Sequence, residues 1–181
     1  MNIGRKYRWL LYGLLPVLVT LGMAIADDSN RSLPEPDRSF IRQAAKDSLW
    51  HISLGELALK QAAGGNIRKY GEDMILGNRR IQADIQSLAK KKGVDLEIDQ
   101  DPLQNQTLEH LSREPGAGFD RQYISLMIDE QEKSERLYRE EADHGQDRET
   151  RGFAGGVLPW IDTQLKRARD ILLGIPQPFL K

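Results

Sequence analysis

GVDLEIDQDPLQNQTLEHLSREPGA, residues 93–117, is the stretch on which the fold turns. Pro102, Pro115, Gly93 and Gly116 prevent one helix from running through it, leaving room for a short helix near Leu103–Leu111. Two amphipathic segments precede it. The first runs from about Asp37 to Ala63, with Phe40, Ala44, Leu54 and Ala58 on one stripe. After Gly64-Gly65, a second covers roughly 66–92, with Ile67, Tyr70, Met74, Ile81, Ile85 and Leu88 inward. Asn66 is the expected cap of this helix and Gly93 its stop. Two more segments follow. One starts near Phe119–Asp120 and ends before Gly145, with Ile124, Met127 and Tyr138 on its stripe. The last covers roughly 148–173, capped by Asp147 and stopped by Gly174 and Pro176. Its stripe holds Phe153, Val157, Ile161, Ala168 and Ile171. Pro159 within it predicts a kink, eased by Gly155-Gly156.

Helices joined by tight turns must be antiparallel neighbours, whereas the long link lets the chain cross a bundle. Short, long, short is the connectivity of a ferritin-like four-helix bundle; an up-down-up-down bundle needs no such link. The expected fold is therefore all-α: two antiparallel helical hairpins joined by a long crossover containing a short helix. The bundle occupies residues 37–173, with 174–181 as a tail.

The N-terminus reads differently. Arg5, Lys6 and Arg8 precede an almost wholly apolar run from Trp9 to Ala24, and Ala24-Ile25-Ala26 is a small-x-small site followed by Asp27-Asp28. This is a secretory signal pattern over residues 1–26, with cleavage expected after Ala26 and a periplasmic destination. The alternative is an uncleaved inner-membrane anchor, because the run is nearly long enough to span a bilayer. Residues 27–36 (DDSNRSLPEP) read as a flexible lead-in. Cleavage would take the formal charge from -1 to -4, since residues 1–26 hold three cations and no acid. That balance, without a basic patch interleaved with aromatics, argues against nucleic acid as a partner. Lys90-Lys91-Lys92 closes a helix, where cations favour the dipole. The absence of cysteine removes disulfides, thiolate metal sites, thiol catalysis and lipoprotein acylation.

Each long helix also carries one polar residue on its apolar stripe. His51 is seven residues from both Ala44 and Ala58, and Asn78 is four after Met74. Gln131 is four after Met127, and Gln164 is four before Ala168. Counted from the Gly64-Gly65 turn, His51 and Asn78 stand at equal heights and should face each other. Gln131 and Gln164 are offset by three residues, about 4.5 Å of helix. One reading is a buried hydrogen-bonded layer that fixes helix register. The other is a metal site between facing helices. Three of the four groups are amides, which transition metals take poorly in place of imidazole, carboxylate or thiolate, so the structural layer is favoured.

LGELALKQA (54–62), MILGN (74–78) with LAKKKGVDL (88–96), FDRQYISLMIDEQEK (119–133) and FAGGVLPWIDTQL (153–165) together resemble domain of unknown function 4142, a bacterial family of exported ferritin-like proteins. The resemblance covers roughly residues 37–173. The family pattern usually reads Met-Val-x-Asp-His at both Met-Ile segments and Leu-Pro-x-x-x-x-His near the end. It implies that the family histidines fall on Asn78, Gln131 and Gln164, the two aspartates on Gly77 and Glu130, and a first-helix glutamate on His51. His51, Asn78, Gln131 and Gln164 are then the positions of a degenerate metal site.

No Gly-x-Ser-x-Gly, phosphate-binding loop or His-Glu-x-x-His occurs. Adjacent acids such as Glu140-Glu141 and Asp129-Glu130 point apart on a helix and read as solvated faces. His110 falls in the crossover and His144 at a helix end, where the dipole favours it. No catalytic residue, metal ligand or cofactor is assigned. The expectation is a non-catalytic exported bundle that binds an unidentified protein or small molecule in envelope maintenance or stress. The alternatives are a ferritin-like metal or redox protein using His51 with carboxylates such as Asp47, Asp73 or Glu130, and a membrane-tethered scaffold.

Overall fold

The computed structural model describes residues 32–96, 101–114 and 116–175. Among these the structure is all-helical: α1 Glu35–Gln61, α2 Gly65–Lys92, α3 Pro102–Ser112, α4 Ala117–His144 and α5 Arg148–Gly174. The signal pattern, residues 27–31 of the lead-in and the end of the tail lie outside the described residues; the last two lead-in residues, Glu35 and Pro36, belong to α1.

Helix ends follow local chemistry in most places. Asp147 accepts the Thr150 N–H at 2.9 Å and starts α5. Asp101 does the same for α3 through Leu103 at 2.8 Å. Gly93 ends α2 in the left-handed region at φ 63°, where its lack of a Cβ removes the steric cost. The expected Asn66 cap is not formed. The N-cap of α2 is Gly64, and Asn66 instead accepts the adjacent Ile67 N–H at 2.9 Å. The orphan donors of that turn are taken from a distance. Asp120, in the first turn of α4, accepts Ala63 N–H at 3.1 Å and Gly64 N–H at 2.7 Å. The opposite turn mirrors this: Asp37, in the first turn of α1, accepts Gln146 N–H at 2.9 Å and Asp147 N–H at 2.7 Å. Each hairpin therefore clasps the turn of the other.

α1 packs along α2 and α4 along α5; α1 also meets α4, α2 meets α5, and α3 lies on α1 and α4. An isolated bridge sets Gly116 beside Ala62, so α4 starts where α1 ends and runs antiparallel to it. The start of α1 is fixed to the chain leaving α2 by Arg38, which donates to the Gly93 carbonyl at 3.3 Å, and Arg42, which donates to that of Asp95 at 3.4 Å. Within the first hairpin the backbones come unusually close. A Cβ on Gly55 would stand 2.8 Å from the Gly71 carbonyl oxygen, and one on Gly71 would stand 2.8 Å from the Ala58 Cβ.

The apolar interior falls into two clusters. Around the α1–α2 turn lie Leu54, Tyr70, Met74, Phe119, Tyr123 and Met127. Toward the α4–α5 turn lie Phe40, Ile41, Ile85, Tyr138 and Ile161. Each fully buried large side chain contributes about 1.5–3 kcal/mol. Trp160 packs against both clusters. Pro159 sits inside the α5 span, leaving the Gly155 carbonyl without its intrahelical N–H.

Candidate functional site

A layer of polar side chains separates the two clusters. Ser48 and His51 reach it from α1, Asn78 from α2, Gln131 and Ser134 from α4, and together with Asp47 and Trp160 they line one cavity of about 10 Å³. That is the room of about one water molecule. His51, Asn78 and Gln131 are 3%, 2% and 0% exposed. Gln164 is also buried but does not line this cavity; its carbonyl lies 3.5 Å from the Tyr70 hydroxyl, nearer the α1–α2 turn. The four residues singled out by sequence are thus all interior, and three of them share a site.

The bonds in the layer run both within helices and between them. Asn78 donates to the Met74 carbonyl at 2.9 Å. The single Ser48 hydroxyl proton is shared between the Ala45 carbonyl, 2.9 Å away, and Gln82 Oε1. Gln131 Nε2 finds only the Met74 sulfur, 3.6 Å away. His51 Nε2, Gln131 Oε1 and Gln82 Nε2 are buried without a protein partner. Gln82 and Ser134 were not anticipated from sequence, although Gln82 is four residues after Asn78 and Ser134 three after Gln131, spacings that keep them near the same face.

Burial, opposed by Glu130 and Asn78, pushes the His51 imidazole down to about 4, so it is neutral at pH 7. Burial raises the Asp47 carboxyl to about 6, with Gln43 opposing and Glu130 reinforcing. The three candidate carboxylates are engaged elsewhere. Asp47 Oδ1 accepts from Gln43 at 2.7 Å. Glu130 accepts from Trp50 Nε1 at 3.0 Å and from Lys133 at 2.7 Å. Asp73 pairs with Lys69 and Arg167. Gly77, where the family pattern carries an aspartate, is covered by the Trp160 indole, and a Cβ there would overlap the ring. Among the described residues, no group of three or more histidine, cysteine, aspartate or glutamate side chains is gathered to hold a metal ion. One imidazole, two amides, hydroxyls and the single carboxyl of Asp47 are not the donor set of a ferritin-type centre, which depends on several carboxylates.

Gln131 has an idle Oε1 and one weak bond. Gln131→Leu is therefore expected to leave stability unchanged or raise it by about 1 kcal/mol, because it removes an unpaired buried acceptor. Urea denaturation of the two proteins checks this.

Helices so arranged are found in the crystal structure of a DUF305 fragment from Deinococcus radiodurans. The match has 14% identity, covers 80% of this chain and 99% of that one, and has a TM-score of 0.71, a likeness of fold. No curated protein sequence matches the chain. The model of domain of unknown function DUF4142 matches residues 22–171, and the chain belongs to that family.

Proposed function

We propose that this is an exported, non-catalytic bundle of ferritin-like connectivity, whose interior polar layer stands at a degenerate metal site and now sets helix pairing. It works in the bacterial periplasm, with residues 1–26 removed, by binding a protein or small-molecule partner through its surface. The connectivity is supported by the two tight hairpins, the long link and the antiparallel α1–α4 contact. Export is supported by the signal pattern, and a mature N-terminus at Asp27 in a mass spectrum is the matching test. Among the described residues no helix is long and apolar enough to cross a membrane.

The observation that carries the reading is the donor set around His51: amides bonded to backbone or sulfur, with carboxylates held by Gln43, Trp50 and Lys133. The protein purified from the periplasm is expected to hold far less than one iron, manganese, copper or zinc per chain by elemental analysis, and chelation is expected to leave its denaturation midpoint unmoved. One metal per chain, lost in His51→Ala, would establish the metal or redox alternative instead. That alternative draws its support from Asp47 and His51 sharing one cavity wall.

A further inference from the structure

The α4–α5 turn contains a pair of buried acids that the interior layer does not involve. Asp37 is 0% exposed and Glu141 is 5% exposed. Glu141 is three residues after Tyr138, on the same inward face, so the Glu140-Glu141 pair is not a solvated face as expected: Glu140 is exposed and Glu141 is not. Asp37 spends Oδ1 on the Gln146 and Asp147 N–H groups. Its other oxygen, Oδ2, and Glu141 Oε1 are both buried and receive no hydrogen bond. The two carboxyl groups meet at the same turn: Asp37 sits on the Gln146 and Asp147 N–H groups, and the Glu141 carboxyl lies against Gly145, the residue before them. Two ionised carboxylates offer only acceptors, so this contact is satisfied only when one of them carries a proton. Gly145 makes the approach possible, since a Cβ there would stand against the Glu141 carboxyl.

We propose that Asp37 and Glu141 share a single proton, and that its release loosens the joint between the start of α1 and the α4–α5 turn, making this joint a pH-sensitive latch.

The charges around the pair favour retention of the proton. From the start of α5, Asp147 adds a second negative charge, itself paired with Lys92 of α2 at 2.6 Å. Arg151 of α5 opposes it but is directed to the Gly145 and Gln146 carbonyls at 2.7 and 3.2 Å. Arg38 of α1 is turned to the Leu33 and Gly93 carbonyls and to Glu35. Glu140 and His144 line a surface cleft that Glu141 also borders. Burial, with Asp37 beside it, lifts the Glu141 carboxyl to about 8.

The folded chain thus keeps a proton that the unfolded chain releases near 4.5. The stabilisation is complete below that pH, falls as pH rises, and is gone above about 8. The slope corresponds to about tenfold in the folding equilibrium per pH unit. His51 acts oppositely, adding stability as pH rises from about 4 to 6.5, whereas Asp47 acts in the same direction as Glu141, its contribution falling as pH rises from 3.8 to about 6. As pH rises from 6.5 toward about 8 both become largely titrated, and the slope toward 8 belongs to the latch.

Urea titrations of the purified protein across that window, with amide exchange of Gln146 and Asp147, test the proposal. In the wild type the midpoint should fall and the two amides should lose protection beyond the base-catalysed rate. Glu141→Gln, which supplies a permanent N–H to Asp37, should abolish both trends. Parallel declines in the two proteins would overturn the latch. Should the variant fail to fold, the carbon-13 shift of the wild-type Glu141 carboxyl decides: titration near 8 supports the shared proton, and titration in the ordinary carboxylate range overturns it.

Discussion

Gly71→Ala should destabilise the protein by about 1–2 kcal/mol, because an added methyl at this helix contact has no room. The new Cβ would stand 2.8 Å from the Ala58 Cβ and 3.0 Å from the Gly55 carbonyl oxygen, one of them backbone, so relief requires α1 and α2 to separate. Packing strain of this kind costs about 1–3 kcal/mol, partly offset by about 0.5–1 kcal/mol from replacing a helical glycine. Gly71→Val should cost more. Gly156→Ala is the control: it lies in a helix with open space around its Cβ position and should be stabilising by the propensity gain alone. Denaturant midpoints of the three variants separate strain from propensity. Equal responses at Gly71 and Gly156 would show that the close approach has no energetic consequence. Ala58→Gly added to Gly71→Ala should recover part of the loss, since it removes one of the two obstructing groups.

Asp120→Ala is expected to cost about 3 kcal/mol, the loss of two hydrogen bonds to a charged acceptor. The carboxylate is 6% exposed and takes one backbone N–H on each oxygen. Alanine leaves both donors of the α1–α2 turn without their acceptor. Asp120→Asn should fall between the two, because one oxygen is retained while the amide N–H₂ faces a donor. Thermal or urea unfolding measures the total, and amide exchange at Ala63 and Gly64 locates it. Unchanged protection of those two amides would mean that solvent replaces the carboxylate at no cost.

These two sites also mark the boundary of what the sequence discloses. Helix positions were legible because apolar residues recur at three and four, and the stops are glycines whose conformation is local: α2 ends at Gly93 as its φ requires. The burial of His51, Asn78, Gln131 and Gln164 followed from the same periodicity. The caps made across the bundle were not legible. Asn66 has the right chemistry in the right place, but Asp120, more than fifty residues away, takes the turn's donors. Height along the helix was harder to judge than face. Gln131 and Gln164 point inward as their stripes demand, yet only Gln131 joins the cavity with His51. Glu141 was misread because its neighbour Glu140 suggested a solvated pair, when its spacing from Tyr138 already turned it inward. Glu141 and His144 stand at Glu-x-x-His spacing, yet Glu141 is buried while His144 is exposed.

The mutual clasp of the turns has a consequence for how the chain acquires its structure. Asp37 and Gln146 are 109 residues apart, and Asp120 and Gly64 are 56 apart, so neither bend is completed by its own half. A half-formed molecule would carry two bends with unsatisfied amides and two acids without their donors. Partial structures are therefore penalised on both sides at once, and the two halves are driven to form and to melt in a single concerted transition.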